Sequence, residues 1–124
     1  MIQLISAVTF AVCDMARSVE FYQKIGFDLL YGGAGATFSS LKAGKAFVNL
    51  SANPGYQHTS WGRVVIRVVD VDGLHRAFTA TGLKPESPRD AAWGERFFHI
   101  HDPDGHELSF AELFAARREM LGLS

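Results

Sequence analysis

The sequence predicts an α+β protein made of two tandem βαβββ modules. Three observations carry this expectation. The chain repeats itself: with Asp14 set over Asp70, Ala7–Val12 lies over Arg63–Val68, Ser18–Tyr22 over Leu74–Phe78, and Gly26 over Gly82. Each copy runs in the same order of apolar strand, Asp, short helix and closing Gly. Three further strand-like runs follow each helix, and Gly or Pro residues separate most of them.

Each element has its own physical reason. Val, Ile, Thr and Phe at 7–12 and 63–68 suit strands. Asp14 and Asp70 can accept hydrogen bonds from the free N–H groups that open a helix. Met15, Val19 and Tyr22 in the first helix, and Val71, Leu74 and Phe78 in the second, recur at helical spacing. Gly26 and Gly82 can close the helices. The remaining strands of the first module are expected at Phe27–Tyr31, Thr37–Leu41 and Ala46–Ser51. Those of the second are expected at Leu83–Ser87, Glu95–His101 and Glu107–Ala111. Asp102-Pro103-Asp104-Gly105 is a hairpin turn; a bulge at Gly105 sets His101 opposite Glu107 and His99 opposite Ser109. The whole chain, 1–124, reads as one domain: module 1 over about 1–53, a linker at 54–60, module 2 over about 61–111, and a C-terminal helix at 112–122. Half a chain of this size rarely holds a core alone, so the halves are expected to pair, within one chain or across a homodimer.

Composition removes several classes of function. Lys+Arg 12 against Asp+Glu 13 gives a net charge of −1, with no basic excess for nucleic acid. The longest apolar stretch, Leu4–Cys13, is about half the roughly 20 residues of a membrane span, and no basic segment precedes it. A single cysteine, Cys13, fits a reducing compartment, and the expected location is the cytoplasm. Cys13 stands just before a helix start, but at the end of an apolar strand it reads as a structural cysteine. No glycine-rich phosphate loop and no nucleophile elbow occurs.

The order and spacing of Ala7–Val12 with Asp14, Ser18-Val19-Glu20-Phe21-Tyr22, Gly26-Phe27, Trp93-Gly94 and the DPDG turn at 102–105 resemble the vicinal oxygen chelate superfamily. That superfamily includes glyoxalase I, extradiol dioxygenases, and fosfomycin and bleomycin resistance proteins. Trp93-Gly94, Phe97-Phe98 and the DPDG turn are most similar to the bleomycin-resistance branch. The resemblance implies a cup-shaped open barrel, often dimeric, with the site inside the cup. It also implies four metal-ligand positions, and here they hold Ala7, Asn49, Arg63 and Ser109. Ala offers no donor, Arg has no lone pair, and Asn and Ser are weak beside imidazole and carboxylate. No metal is expected at these positions.

Strand alternation sorts the faces. Val8, Phe10, Val12, Val48, Leu50, Val64, Ile66, Leu108 and Phe110 form apolar sides suited to packing on helices. The opposite sides carry the candidate ligand-binding residues Thr9, Phe47, Asn49, Arg63, Arg67, His99, His101, Glu107 and Ser109, joined by Trp93 from the loop before the seventh strand. Trp61, Phe38 and Phe97 can serve either a ligand slot or a core. Arg63 or Arg67 can pair with Glu107, leaving the other arginine for an anionic or carbonyl-bearing ligand. His58, His75 and His106 read as surface or turn residues, and Arg117 and Arg118 as a solvated helix face.

The first functional reading is a metal-free protein that sequesters an antibiotic or other small organic ligand, a binder rather than an enzyme. The alternative is a glyoxalase-type lyase or dioxygenase whose displaced Zn, Ni, Mn or Fe site uses His99, His101 and Glu107. A third reading is a protein that only dimerises.

Overall fold

The computed structural model describes residues 1–123. Eight strands and three helices follow in the order β1 (Ala7–Val12), α1 (Met15–Lys24), β2 (Asp28–Tyr31), β3 (Phe38–Ala43), β4 (Ala46–Ala52), β5 (Arg63–Arg67), α2 (Val71–Ala80), β6 (Arg89–Ala91), β7 (Glu95–His101), β8 (Glu107–Leu113) and α3 (Ala115–Met120). The tandem βαβββ order of the sequence is present. The strands form two four-stranded sheets, β1-β4-β3-β2 and β5-β8-β7-β6. In each sheet the first and last strands of a module run parallel and the other neighbours antiparallel.

Two compact units emerge. One comprises residues 1–59 with Asp102–His106; the other comprises 60–101 and the chain from Glu107 onward. In the first unit, α1 starts where Asp14 accepts the Arg17 N–H at 3.2 Å. Met15, Val19 and Tyr22 are buried with Phe10, Val12, Val48 and Leu50, the sides that alternation assigned to the core. The turn Asp102–His106 completes this unit. The buried Asp102 carboxylate accepts the Tyr22 hydroxyl at 2.8 Å and the backbone N–H groups of Asp104 and His106 at 2.9 Å each. Asp104 accepts the Cys13 N–H at 2.9 Å and the Ser18 hydroxyl at 3.3 Å. His106, expected in the turn, follows it and is buried: it stacks on Phe10, and its Nε2 lies 2.8 Å from the Ala11 carbonyl, an acceptor only, so Nε2 carries the proton.

In the second unit, Asp70 caps α2 through the Gly73 N–H at 3.0 Å. Phe78, Phe98 and Phe110 meet edge-on and stacked beneath that helix. His75, expected at the surface, is half-buried with its ring edge-on to Phe98, because its helical position faces the sheet.

Two expected boundaries move. No strand forms at Leu83–Ser87; the strand is Arg89–Ala91. Pro85 and Pro88 lack the N–H that a ladder requires, so between them only the Glu86 N–H reaches the His99 carbonyl, at 3.0 Å, and the regular ladder begins beyond them. The last helix starts at Ala115 rather than 112, because Glu112 and Leu113 extend β8 opposite Arg96 and Glu95. No helix among the described residues is long and apolar enough to cross a membrane.

Candidate functional site

Each sheet has one face on its helix and an opposite face carrying the predicted polar residues. On the first sheet the register aligns Ala7 with Phe47 and Lys42, and Thr9 with Asn49 and Ser40. The Asn49 amide donates to the Thr9 hydroxyl at 3.4 Å. Thr9, Phe47 and Asn49 therefore share one face as predicted.

The second sheet's outer face is organised in cross-strand rows. The first is Arg63–Glu107–His101, the second Val65–Ser109–His99, and the third Arg67–Ala111–Phe97–Arg89. The register expected from the DPDG turn is the one found. Gly105, at φ +95°, supplies the left-handed residue that the turn needs. In the first row Arg63 Nε donates to Glu107 Oε2 at 2.8 Å, while His101 Nε2 stands 4.0 Å from Glu107 Oε1. The sequence left open which arginine pairs with Glu107; it is Arg63. Arg67 makes no hydrogen bond or ion pair among the described residues.

In the second row Ser109 and His99 are buried. Burial pushes the His99 imidazole below its ordinary pKa, an effect the Glu107 charge opposes. Its Nδ1 is buried without a hydrogen-bond partner. Beside it an aromatic series runs Trp93–Phe97–His99, with ring centroids 6.0 and 5.1 Å apart. Trp93, on the turn before β7, is more than half exposed and donates from Nε1 to Glu95 Oε1 at 2.7 Å. The guanidinium of Arg89 sits 4.9 Å above the Phe97 ring.

Sequence reasoning missed Arg89 and Glu95. Arg89 lay beyond the expected strand at Leu83–Ser87. Glu95 was within reach of the alternation through His99 and Phe97. The Asp104 carboxylate beside Cys13 pushes the thiol's pKa up, which disfavours the thiolate, and its Sγ donates to the Tyr56 carbonyl at 3.2 Å.

The profile of the Glyoxalase/Bleomycin resistance protein/Dioxygenase superfamily matches residues 4–110. The chain belongs to this superfamily. Solved structures similar to this superfamily member include a bleomycin-binding protein complexed with bleomycin, at 21% identity and TM-score 0.73, covering 90% of this chain and 98% of that one. The fosfomycin resistance protein FosX from Listeria monocytogenes superposes at 18% identity and TM-score 0.78, covering 95% and 99%. A lactoylglutathione lyase from Agrobacterium tumefaciens gives 19% identity and TM-score 0.69, covering 88% and 92%. At these identities the likeness is one of fold. No curated protein sequence matches significantly.

Many superfamily chemistries use a divalent metal, and the donor set of this member does not match what such an ion needs. Ala7, Asn49, Arg63 and Ser109 supply no imidazole and no carboxylate. The displaced set does not fit either. Glu107 is engaged by the Arg63 guanidinium and 4.0 Å from His101, and no group of three or more His, Cys, Asp or Glu among the described residues is placed to hold a metal.

Proposed function

We propose that this superfamily member is a cytoplasmic homodimer that binds a small organic molecule, an antibiotic or a similar compound, without a metal. The observation that carries this reading is the Arg63–Glu107 pair at 2.8 Å. At a position where catalytic relatives are expected to present a ligand atom, this chain presents a cation, and the neighbouring carboxylate is already neutralised by it. The residues assigned to ligand contact are Thr9, Phe47 and Asn49 on the first sheet, and Arg63, Arg67, Trp93, His99, His101, Glu107 and Ser109 on the second. The bleomycin complex of a protein of the same fold supports a small-molecule ligand. The near-neutral charge of −1 argues against a strongly cationic one.

The test is a thermal-shift screen of small organic compounds, run with EDTA and again with Zn²⁺, Ni²⁺, Mn²⁺ or Fe²⁺. A compound that binds only the folded state raises the midpoint. The expected result is at least one organic hit whose shift is indifferent to EDTA. One equivalent of retained metal, lost in His99→Ala, together with metal-dependent lyase or dioxygenase turnover, would replace this reading with the enzymatic one.

A further inference from the structure

We infer that the ligand of the second sheet's outer face is an organic anion, its carboxylate held between the guanidinium groups of Arg67 and Arg89. This rests on the ligand-binding reading of that face and names the class of ligand.

The two carboxylates that β7 and β8 carry on this face each have a hydrogen-bond donor, and Glu86, just ahead of β6, acts on His99 and forms no ion pair with either arginine. Glu107 accepts from Arg63 at 2.8 Å, and Glu95 accepts from the Trp93 indole at 2.7 Å. The remaining acidic residues of these strands, Asp90 and Glu112, lie on the opposite side, where Asp90 pairs with Arg96 and Glu112 accepts the Val71 N–H. Two arginines are left with no anionic partner, and the register puts them in one row: Arg67, Ala111, Phe97, Arg89. Their Cα atoms are three strand spacings apart, roughly 14 Å at about 4.8 Å per strand. Ala111 contributes only a methyl group between them. Arg89 is held over Phe97 by a cation–π contact at 4.9 Å, which orients a guanidinium toward the middle of the row without neutralising it.

Two cations without an ion-pair partner in one cross-strand row favour an oxyanion, and the planar fork of arginine suits carboxylate. Beside this row lie the Trp93–Phe97–His99 rings and the unpartnered His99 Nδ1. An aromatic body with a polar substituent attached to the carboxylate is therefore the matching shape.

The probes are 2-naphthoate, 2-naphthamide and protonated 2-naphthylmethylamine, which share a ring system and differ in charge. Each is titrated into the full chain and followed by amide and indole N–H resonances. Naphthoate is expected to shift the Arg67, Phe97 and Ala111 amides and the Trp93 indole saturably, and to bind at least about tenfold more tightly than the amide. Added salt should weaken it. Arg67→Gln should erase the preference for naphthoate while leaving the thermal midpoint unchanged, since Arg67 is exposed and holds no partner. Arg89→Gln should weaken naphthoate as well. The inference is overturned if the amide or amine binds this face as tightly as naphthoate, if naphthoate shifts none of these signals, or if Arg67→Gln binds it as the parent does. Binding of the amide or amine on this face would leave the ligand-binding reading standing. Organic hits of the thermal-shift screen that move none of the sheet's signals would remove that reading instead.

Discussion

Two buried ionisable groups carry opposite signs of pH dependence. Asp102 is taken out of water, which raises its pKa above the ordinary 3.8 even though the Tyr22 hydroxyl, the His106 charge and two backbone N–H groups act the other way. A carboxyl with a raised folded pKa holds its proton more tightly when folded. Its contribution is complete below pH 3.8 and is lost as pH rises through the folded value. Asp102→Asn should fold and flatten that fall, read as the difference between two stability–pH curves from denaturant melts. Asp102→Ala leaves Tyr22 Oη and two N–H groups without an acceptor and should cost about 3 kcal/mol. The Tyr22 hydroxyl, buried beside that carboxylate, is held un-ionised far above the usual tyrosine range. His99 shows the reverse sign. Its imidazole is depressed below 6.5 by burial, so stability is lost as pH falls from 6.5 toward the lower folded value. An NMR titration of the His99 ring should give a midpoint below 6.5, and His99→Phe should remove that acid-side loss. The face of His99 was legible in the sequence, because the DPDG turn fixes the register and alternation does the rest. Its burial was not, because burial depends on neighbours that alternation does not name.

Elements were most legible where one local signal decided them. The two N-cap aspartates and the DPDG turn are cases in which backbone hydrogen-bonding needs and side-chain chemistry agree. Asp70→Ala should therefore cost about 1 kcal/mol in a chemical melt. The segment at Leu83–Ser87 was misread because the repeat placed a strand there, while Pro85 within it and Pro88 just after it removed two donors. The resulting shift of β6 hid Arg89, the residue that completes the third row. Gly32 is held more tightly than its sequence context suggests. Its φ is +83°, and an added Cβ would collide with the Phe38 carbonyl oxygen and lie 2.6 Å from Ser39 Oγ. That crowding sits where Ser39 receives the Gly33 N–H at 2.9 Å. Gly32→Ala should lower stability by at least about 2 kcal/mol, measured by the same melts.

At the scale of the whole molecule, the repeat was visible because both copies keep strand, cap, helix and glycine at a constant offset. Each unit alone is small for an independent core, and the second sheet leaves Val65 more than half exposed on its outer face. The proposed homodimer should sediment at twice 13.6 kDa at micromolar concentration, and a species of 13.6 kDa would refute it. The chemistry of the ligand was the least legible property. The proposed anionic class rests on which of two arginines Glu107 pairs with, and that choice is made by a cross-strand neighbour.

The turn Asp102–His106 belongs to the first unit while the strands on either side of it belong to the second. The polypeptide therefore passes from one unit to the other three times, not once. Severing the exposed stretch at 57–62 removes a single passage and leaves the other two intact. A protease nick there should yield two fragments that co-elute under native conditions and part only in denaturant. A gene encoding residues 1–59 alone would yield a half missing the carboxylate that Tyr22 is built to meet.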